Sequence, residues 1–209
     1  MQTDFRQMTA AGSVATAASY HLSPDIEAEL RRHLRDSYRD IFTDEAISAH
    51  IRDYVGMTFA DSIVGVVADS LRGSVRILDI GSGFGSFVLA CRNRGLNAMG
   101  VEISDYEVAF ARRRLSVLRP DDDAESVYVL NDARELRGER NSFGAVTLWN
   151  VLEHIDNADR VIRTASELLE PGGALFVICP NYAAFRQEAH YHVPWLPMLP
   201  RTLASRYLK

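Results

Sequence analysis

The chain has 209 residues, 47% hydrophobic and 24% charged, with a formal net charge of -5. That length suits one domain with a proper core and an added helical cap. The acidic balance gives no electrostatic basis for non-specific nucleic-acid binding, and no apolar run is long enough to span a membrane. Cys91 and Cys179 stand far apart, with neither zinc spacing nor a disulfide framework, which fits a reducing, cytoplasmic setting. The N-terminal stretch lacks the continuous apolar core of a signal peptide.

In chain order, residues 1–22 are small and polar and read as a mobile tail. Residues 23–72 read as a helical cap. Ser23-Pro24-Asp25 is a helix start, with a capping serine, proline at the first helical position and an acid behind it. Thr43-Asp44-Glu45 starts a second, longer helix that runs to about Leu71 and stops at Gly73.

Residues 73–181 change texture, to short apolar runs alternating with amphipathic segments. Strands are expected at Val75–Ile80, Asn97–Val101, Ser126–Leu130, Phe143–Trp149 and Ala174–Cys179. Helices are expected at Ser86–Arg94, Asp105–Leu118 and Asn157–Leu169. Pro171-Gly172-Gly173 reads as a turn before the fifth strand. Asp121-Asp122-Asp123 reads as a solvated turn, and Arg112-Arg113-Arg114 as the solvated face of a helix. This alternation predicts an α/β fold: a doubly wound, mostly parallel Rossmann-like sheet with helices on both faces.

In such sheets a ligand lies beyond the carboxyl ends of the strands. The residues there are Asp79 with the glycine turn Gly81-Ser82-Gly83-Phe84-Gly85, then Glu102, Asp132, Trp149-Asn150 and Pro180-Asn181. Glycines turn the backbone sharply and let a ligand approach without meeting a Cβ atom. Glu102 stands roughly twenty residues past the turn, where a carboxylate accepts from both hydroxyls of a ribose. Asp132 and the N–H of Ala133 suit an adenine edge, and Asp132 would equally cap a helix. A nicotinamide site wants Gly-x-Gly-x-x-Gly, but Ser86 occupies its last position and the glycine falls at Gly85. An acid at Asp79 would repel a pyrophosphate, whereas beside a sulfonium and an ammonium it makes electrostatic sense. A nicotinamide-dependent oxidoreductase therefore rests on the glycine turn alone.

At this point the chain resembles the class I S-adenosylmethionine-dependent methyltransferases. Ile77-Leu-Asp-Ile-Gly-Ser-Gly-Phe-Gly85 resembles their first motif. The likeness continues through Gly100–Ser104, Asn131–Ala133, Phe143–Ile155 and Leu168–Phe176. The resemblance implies S-adenosylmethionine as cofactor. It implies that Asp79, Gly81, Ser82, Gly83 and Gly85 hold the methionine part, Glu102 the ribose, and Ile103, Asp132 and Ala133 the adenine. Trp149 and Asn150 would border the methionine near the transferred methyl.

The implied activity is methyl transfer to O, N or C of a small-molecule, glycan or lipid precursor. The alternative is an inactive cofactor-binding regulator or assembly partner. His154 is the candidate general base, or else an orienting residue before the next helix. Some relatives carry Glu-x-x-Glu-His here and hold a divalent metal; this chain has Asn150-Val-Leu-Glu153-His154, so no metal is expected. His190 and His192 are further candidates for a catalytic base, or with Tyr191 simply pack a lid; they fall in residues 182–209, a substrate-side or lid segment rich in aromatics and proline. The sixth and seventh strands of the family have no counterpart in that pattern. A sheet without them has an uncovered edge that favours association with another copy.

Overall fold

The computed structural model describes residues 22–38, 43–73, 75–180, 199, 200, 202, 203 and 206. The expected mobile tail and most of the C-terminal segment, including His190, Tyr191 and His192, lie outside the described residues.

The strands are β1 (Arg76–Ile80), β2 (Asn97–Glu102), β3 (Tyr128–Leu130), β4 (Phe143–Trp149) and β5 (Leu169–Ile178). They form one parallel sheet in the order β3-β2-β1-β4-β5. The order reverses between β1 and β4, so the ends of β1, β2 and β4 frame the crevice where such sheets take ligands. The sheet is doubly wound, as its alternating pattern predicts. Ile77, Ala98 and Ala145 face a core shared with α3 (Thr58–Ser70), α4 (Ser86–Asn93) and α5 (Asp105–Leu118). Leu78, Ile80, Val101, Val146 and Leu148 face the opposite core, closed by Val161, Ala165 and Leu168 of α7 (Ala158–Leu168). The strict alternation puts Asp79 and Thr147, of the same parity as Ile77 and Ala145, on the α4 side.

Two stretches of the sheet depart from expectation. β3 starts two residues late, because Ala124–Val127 forms a short helix, α6, with the Asp123 side chain accepting from the Glu125 N–H. β5 starts at Leu169, and Pro171-Gly172-Gly173 lies inside it. Phe143 pairs with Leu169 and Ala145 with Ala174, so two steps on β4 face five on β5. The extra residues bulge out where proline lacks a ladder N–H and Gly172 takes a left-handed φ of 85°. Among the described residues β5 is an edge strand and no strand follows it.

The cap is α1 (Pro24–Ser37), α2 (Asp44–His50) and α3. Ser23 and Thr43 cap the first two as expected, accepting from the N–H groups of Ile26 and Ala46. The expected single long helix is broken. A π-turn, Ile51–Val55, follows α2, and Gly56 leaves the helix at φ -61°, ψ 159°. The physical reason lies elsewhere in the chain. The Ser86 hydroxyl bonds the carbonyls of Tyr54 and Val55, at 3.1 and 2.9 Å, and so diverts two acceptors from a continuing helix. Leu30, Leu34, Ile47 and Val55 of the cap then pack on Phe84 of the glycine turn and Phe110 of α5.

The arginine cluster is not a solvated face. Arg114 is buried and donates to the Ser86 hydroxyl at 2.9 Å. Arg112 donates to the Tyr128 carbonyl, and Arg113 pairs with Glu29 of α1. One turn of α5 thus faces three partners. Nor is the triple aspartate simply solvated. Asp122 bonds Arg92 and Arg119, which hold its carboxyl well below the usual range.

Gly85 sets the packing at the start of α4. Its φ is 79°, and a Cβ there would stand 2.7 Å from the Tyr128 ring and 2.8 Å from the Ala111 side chain. The Tyr128 hydroxyl donates to its carbonyl at 2.7 Å. Gly85→Ala combines backbone strain with a clash against buried atoms. It should cost about 2–4 kcal/mol of stability, readable as a lower midpoint in urea unfolding with an unchanged slope.

Candidate functional site

The site forms where β1 and β2 end side by side. Asp79 pairs in register with Gly100 on β2 and Thr147 on β4. It is 1% exposed, and its Oδ1 accepts from the Thr147 hydroxyl at 2.6 Å. Among the described residues no cation pairs with it. Burial pushes its carboxyl up to about 7, the Thr147 bond works against that rise, and the charge of Glu102 adds to it. Thr147 was not singled out in the sequence; a polar residue at the centre of an apolar strand was the available signal.

After Ile80 the chain turns through Gly81, Gly83 and Gly85, all with left-handed φ. The N–H groups of Gly81 and Ser82 both reach the Val101 carbonyl, which ties the turn to β2. At Gly81 a Cβ would meet Val151 at 2.4 Å, so the loop after β4 covers the loop after β1. Only a residue without a side chain fits both the conformation and the approach. The Ser82 hydroxyl is buried without a hydrogen-bond partner.

Glu102 ends β2 and is buried. Its Oε2 accepts from the Gly83 N–H at 3.0 Å, and its Oε1 from the N–H groups of Ile103 and Ser104, at 2.7 and 3.0 Å. Next to it Ile103 is 61% exposed, an apolar side chain at the rim of a polar turn. Glu107, on the first turn of α5, comes back against the same loop. Its Oε2 lies 3.6 Å from where a Cβ on Gly83 would stand. Burial, then the charge of Glu102, pushes the Glu107 carboxyl up to about 7. In the sequence the one signal for Glu107 is its place five residues after Glu102, just inside a capped helix.

The remaining candidates are more dispersed. Asp132, after β3, accepts from the Arg134 N–H at 2.8 Å and binds the Arg134 guanidinium through both oxygens, which holds its carboxyl down at about 2. Ala133 follows it, half-buried, against the α7-side core. Trp149 is wedged among Phe59, Phe87 and Phe176, and its indole N–H is buried without a partner. Asn150 turns the chain with a φ of 54°, and its N–H donates to the Ile178 carbonyl. His154 is exposed at the end of a short 3-10 turn, Leu152–His154, beyond β4. Its neighbour Glu153 has one buried carboxylate oxygen without a hydrogen-bond partner. Among the described residues no cluster of His, Cys, Asp and Glu could hold a metal ion. A hollow of about 440 Å³ borders the start of α7, lined by Asp156, Asn157, Ala158, Asp159, Arg160 and Arg163, and includes no residue of the glycine turn.

A profile of the methyltransferase domain matches residues 26–206. The chain belongs to the class I S-adenosylmethionine-dependent methyltransferases. It is 34% identical over 114 residues to the ubiquinone biosynthesis O-methyltransferase of Dechloromonas aromatica (strain RCB), a match covering 54% of this chain and 47% of that one. It is 32% identical over 124 residues to the 27-O-demethylrifamycin SV methyltransferase of Amycolatopsis mediterranei (strain S699), covering 57% and 45%. Among solved structures it resembles the Haemonchus contortus phosphoethanolamine N-methyltransferase 2 in complex with S-adenosyl-L-methionine. The TM-score is 0.54 at 28% identity, covering 70% of this chain and 35% of that one. The CcbJ methyltransferase of Streptomyces caelestis shares the fold, with a TM-score of 0.53 at 24% identity, covering 62% and 55%. This methyltransferase chain spans about half the length of the curated relatives it matches. No helix among its described residues is long and apolar enough to cross a membrane.

The buried Asp79 makes this methyltransferase's stability depend on pH. A carboxyl whose folded value is raised binds its proton more tightly in the native state. Its contribution is full below about 4 and is lost as pH rises towards 7, a loss of roughly 4 kcal/mol. Asp79→Asn keeps an acceptor for Thr147 and removes the titration. The variant should therefore gain stability over the parent by a margin that grows between pH 5 and pH 8, as read from thermal unfolding at each pH. A margin that stays constant would mean that Asp79 does not titrate there.

Proposed function

We propose that this chain binds S-adenosylmethionine across the ends of β1, β2 and β4 and transfers its methyl group to O, N or C of a small-molecule, glycan or lipid precursor. The observation that carries the reading is the arrangement at β1 and β2. Two buried carboxylates, Asp79 and Glu102, flank a turn of three left-handed glycines, with the apolar Ile103 exposed beside them. A dinucleotide pyrophosphate does not suit a buried acid such as Asp79 beside the turn; a nucleoside bearing cationic groups does.

The residues present fit that cofactor. The glycine turn leaves open the space that side chains would fill, and Ser82 has a buried hydroxyl in need of a partner. Glu102, locked by three N–H donors, is preorganised to accept from ribose hydroxyls. Ile103 offers an apolar surface for an adenine face. Asp132 and Ala133 stand at the next strand end; with both Asp132 oxygens on Arg134, the Ala133 N–H is the simpler adenine contact. Asp79 and Gly81–Gly85 hold the methionine end, bordered by Trp149 and Asn150.

When bound, the cofactor supplies an electrophilic methyl on a positively charged sulfur. The protein aligns the acceptor in line with it and excludes water. An oxygen or nitrogen acceptor must also lose a proton, and His154 is the described side chain placed beyond β4 to take it. The two O-methyltransferases named above and the phosphoethanolamine N-methyltransferase act, by their names, on small molecules, which supports that acceptor class.

Calorimetry with S-adenosylmethionine and with its demethylated product tests the cofactor assignment. Both should bind the folded chain, and Glu102→Ala should weaken each by roughly 10- to 100-fold. Equal binding by parent and variant would remove Glu102 from the site. Once an acceptor is found, His154→Gln should lower kcat by about 10²-fold or more while leaving cofactor affinity unchanged. Binding without turnover on any acceptor offered would favour the cofactor-binding regulator.

A further inference from the structure

Glu107 is not one of the positions through which this chain resembles its family, and its surroundings are unusual. Its carboxylate lies beside Gly83, with Oε2 3.6 Å from where a Cβ on that glycine would stand. Glu102, at the end of β2, reaches the same glycine through the N–H. The two acids are treated differently by the backbone. Glu102 accepts three N–H groups, whereas among the described residues no donor bonds the Glu107 carboxylate. The groups facing Glu107 are Glu102 and, just past the end of α1, the Tyr38 hydroxyl, which burial and then the charge of Glu107 push up. Among the described residues no lysine, arginine or histidine forms an ion pair with it.

Asp79 extends the pattern. It too is buried, no cation among the described residues pairs with it, and the charge of Glu102 bears on it. An excess of negative charge therefore surrounds the glycine turn, and among the described residues no cation pairs with Asp79 or Glu107. In a low-dielectric site that excess is costly until a cation arrives.

We propose that Glu107 is a specificity-determining residue of the cofactor site, whose charge beside the glycine turn favours the cationic methyl donor over the neutral-sulfur product. This rests on the cofactor assignment made above. The donor bears a sulfonium and an ammonium against one carboxylate, for a net charge of +1. The product has lost the sulfonium charge with the methyl group and is neutral overall. The two ligands share every other group, so contacts with ribose, adenine and methionine cancel in their ratio of affinities. What remains is the field of the protein at the sulfur. Ionised Glu107 strengthens that field, holds the donor and lets the product leave.

The test measures dissociation constants for S-adenosylmethionine and S-adenosylhomocysteine on the full chain, between pH 6 and pH 8.5. In the parent, the preference for the donor should rise with pH as Glu107 loses its proton. Glu107→Gln should lower that preference by roughly 3- to 10-fold at pH 8 and reduce its pH dependence to the part that Asp79 contributes. Glu107→Asp, which keeps the charge, should retain most of it. Raising the salt concentration should narrow the difference between parent and Gln variant only modestly, because the group is largely buried. An unchanged ratio in Glu107→Gln overturns the inference, and so does an equal loss of both affinities, which would mark a merely structural role. If the folded parent binds neither ligand, the cofactor assignment falls and this inference with it. Binding of both ligands with a ratio indifferent to pH and to Glu107 overturns the inference alone.

Discussion

A single carboxylate buried in a parallel sheet sets the terms for much of this molecule. Asp79, next to last in an apolar strand, has a partner in Thr147 and, among the described residues, no counter-charge. Burying such a group without a cation is unfavourable. The Thr147 bond and a carboxyl raised to about 7 meet part of that cost, and the chain turns two residues on, at Gly81. Gly81, Gly83 and Gly85 make that turn possible, and the N–H groups of the turn are spent on Val101 and Glu102 rather than on Asp79.

The sheet and its helices were legible because their signals are local. Apolar runs of strand length, glycine turns and capping residues decide β1, β2, β4 and α5 almost to the residue. Where the structure departs, a distant group decides. The π-turn at Ile51–Val55 depends on a hydroxyl at Ser86, some thirty residues away, and no helical periodicity encodes it. The burial of Arg114 depends on the same hydroxyl. Charge runs misled for a related reason. Three arginines in a row occupy three directions on a helix, so their shared sign does not mean a shared environment. The β5 bulge was misread because proline and glycine mark both turns and interrupted ladders.

The candidate site was legible at the strand ends, since topology alone places Asp79, Glu102, Asp132 and Asn150 on one side of the sheet. Contacts made by side chains returning from helices were not. Glu107 belongs to α5 by sequence and to the glycine turn by contact. Asp132 stands where expected, yet its oxygens are already engaged by Arg134, two residues on. Strand-end position names candidates; only the donors around each carboxylate separate one that is ready for a ligand from one that is occupied.

The bond from Ser86 to the carbonyls of Tyr54 and Val55 has a consequence for how such proteins diversify. Ser86 is the first residue of α4, directly behind Gly85, so its hydroxyl ties the π-turn of the covering helices to the end of the glycine turn, with Arg114 as its buttress. A cover transplanted from a relative would need to offer two bare carbonyls at that spot, or leave a buried guanidinium and hydroxyl poorly satisfied. A changed cover is therefore more readily reached by altering loops around a retained π-turn than by exchanging all of its helices.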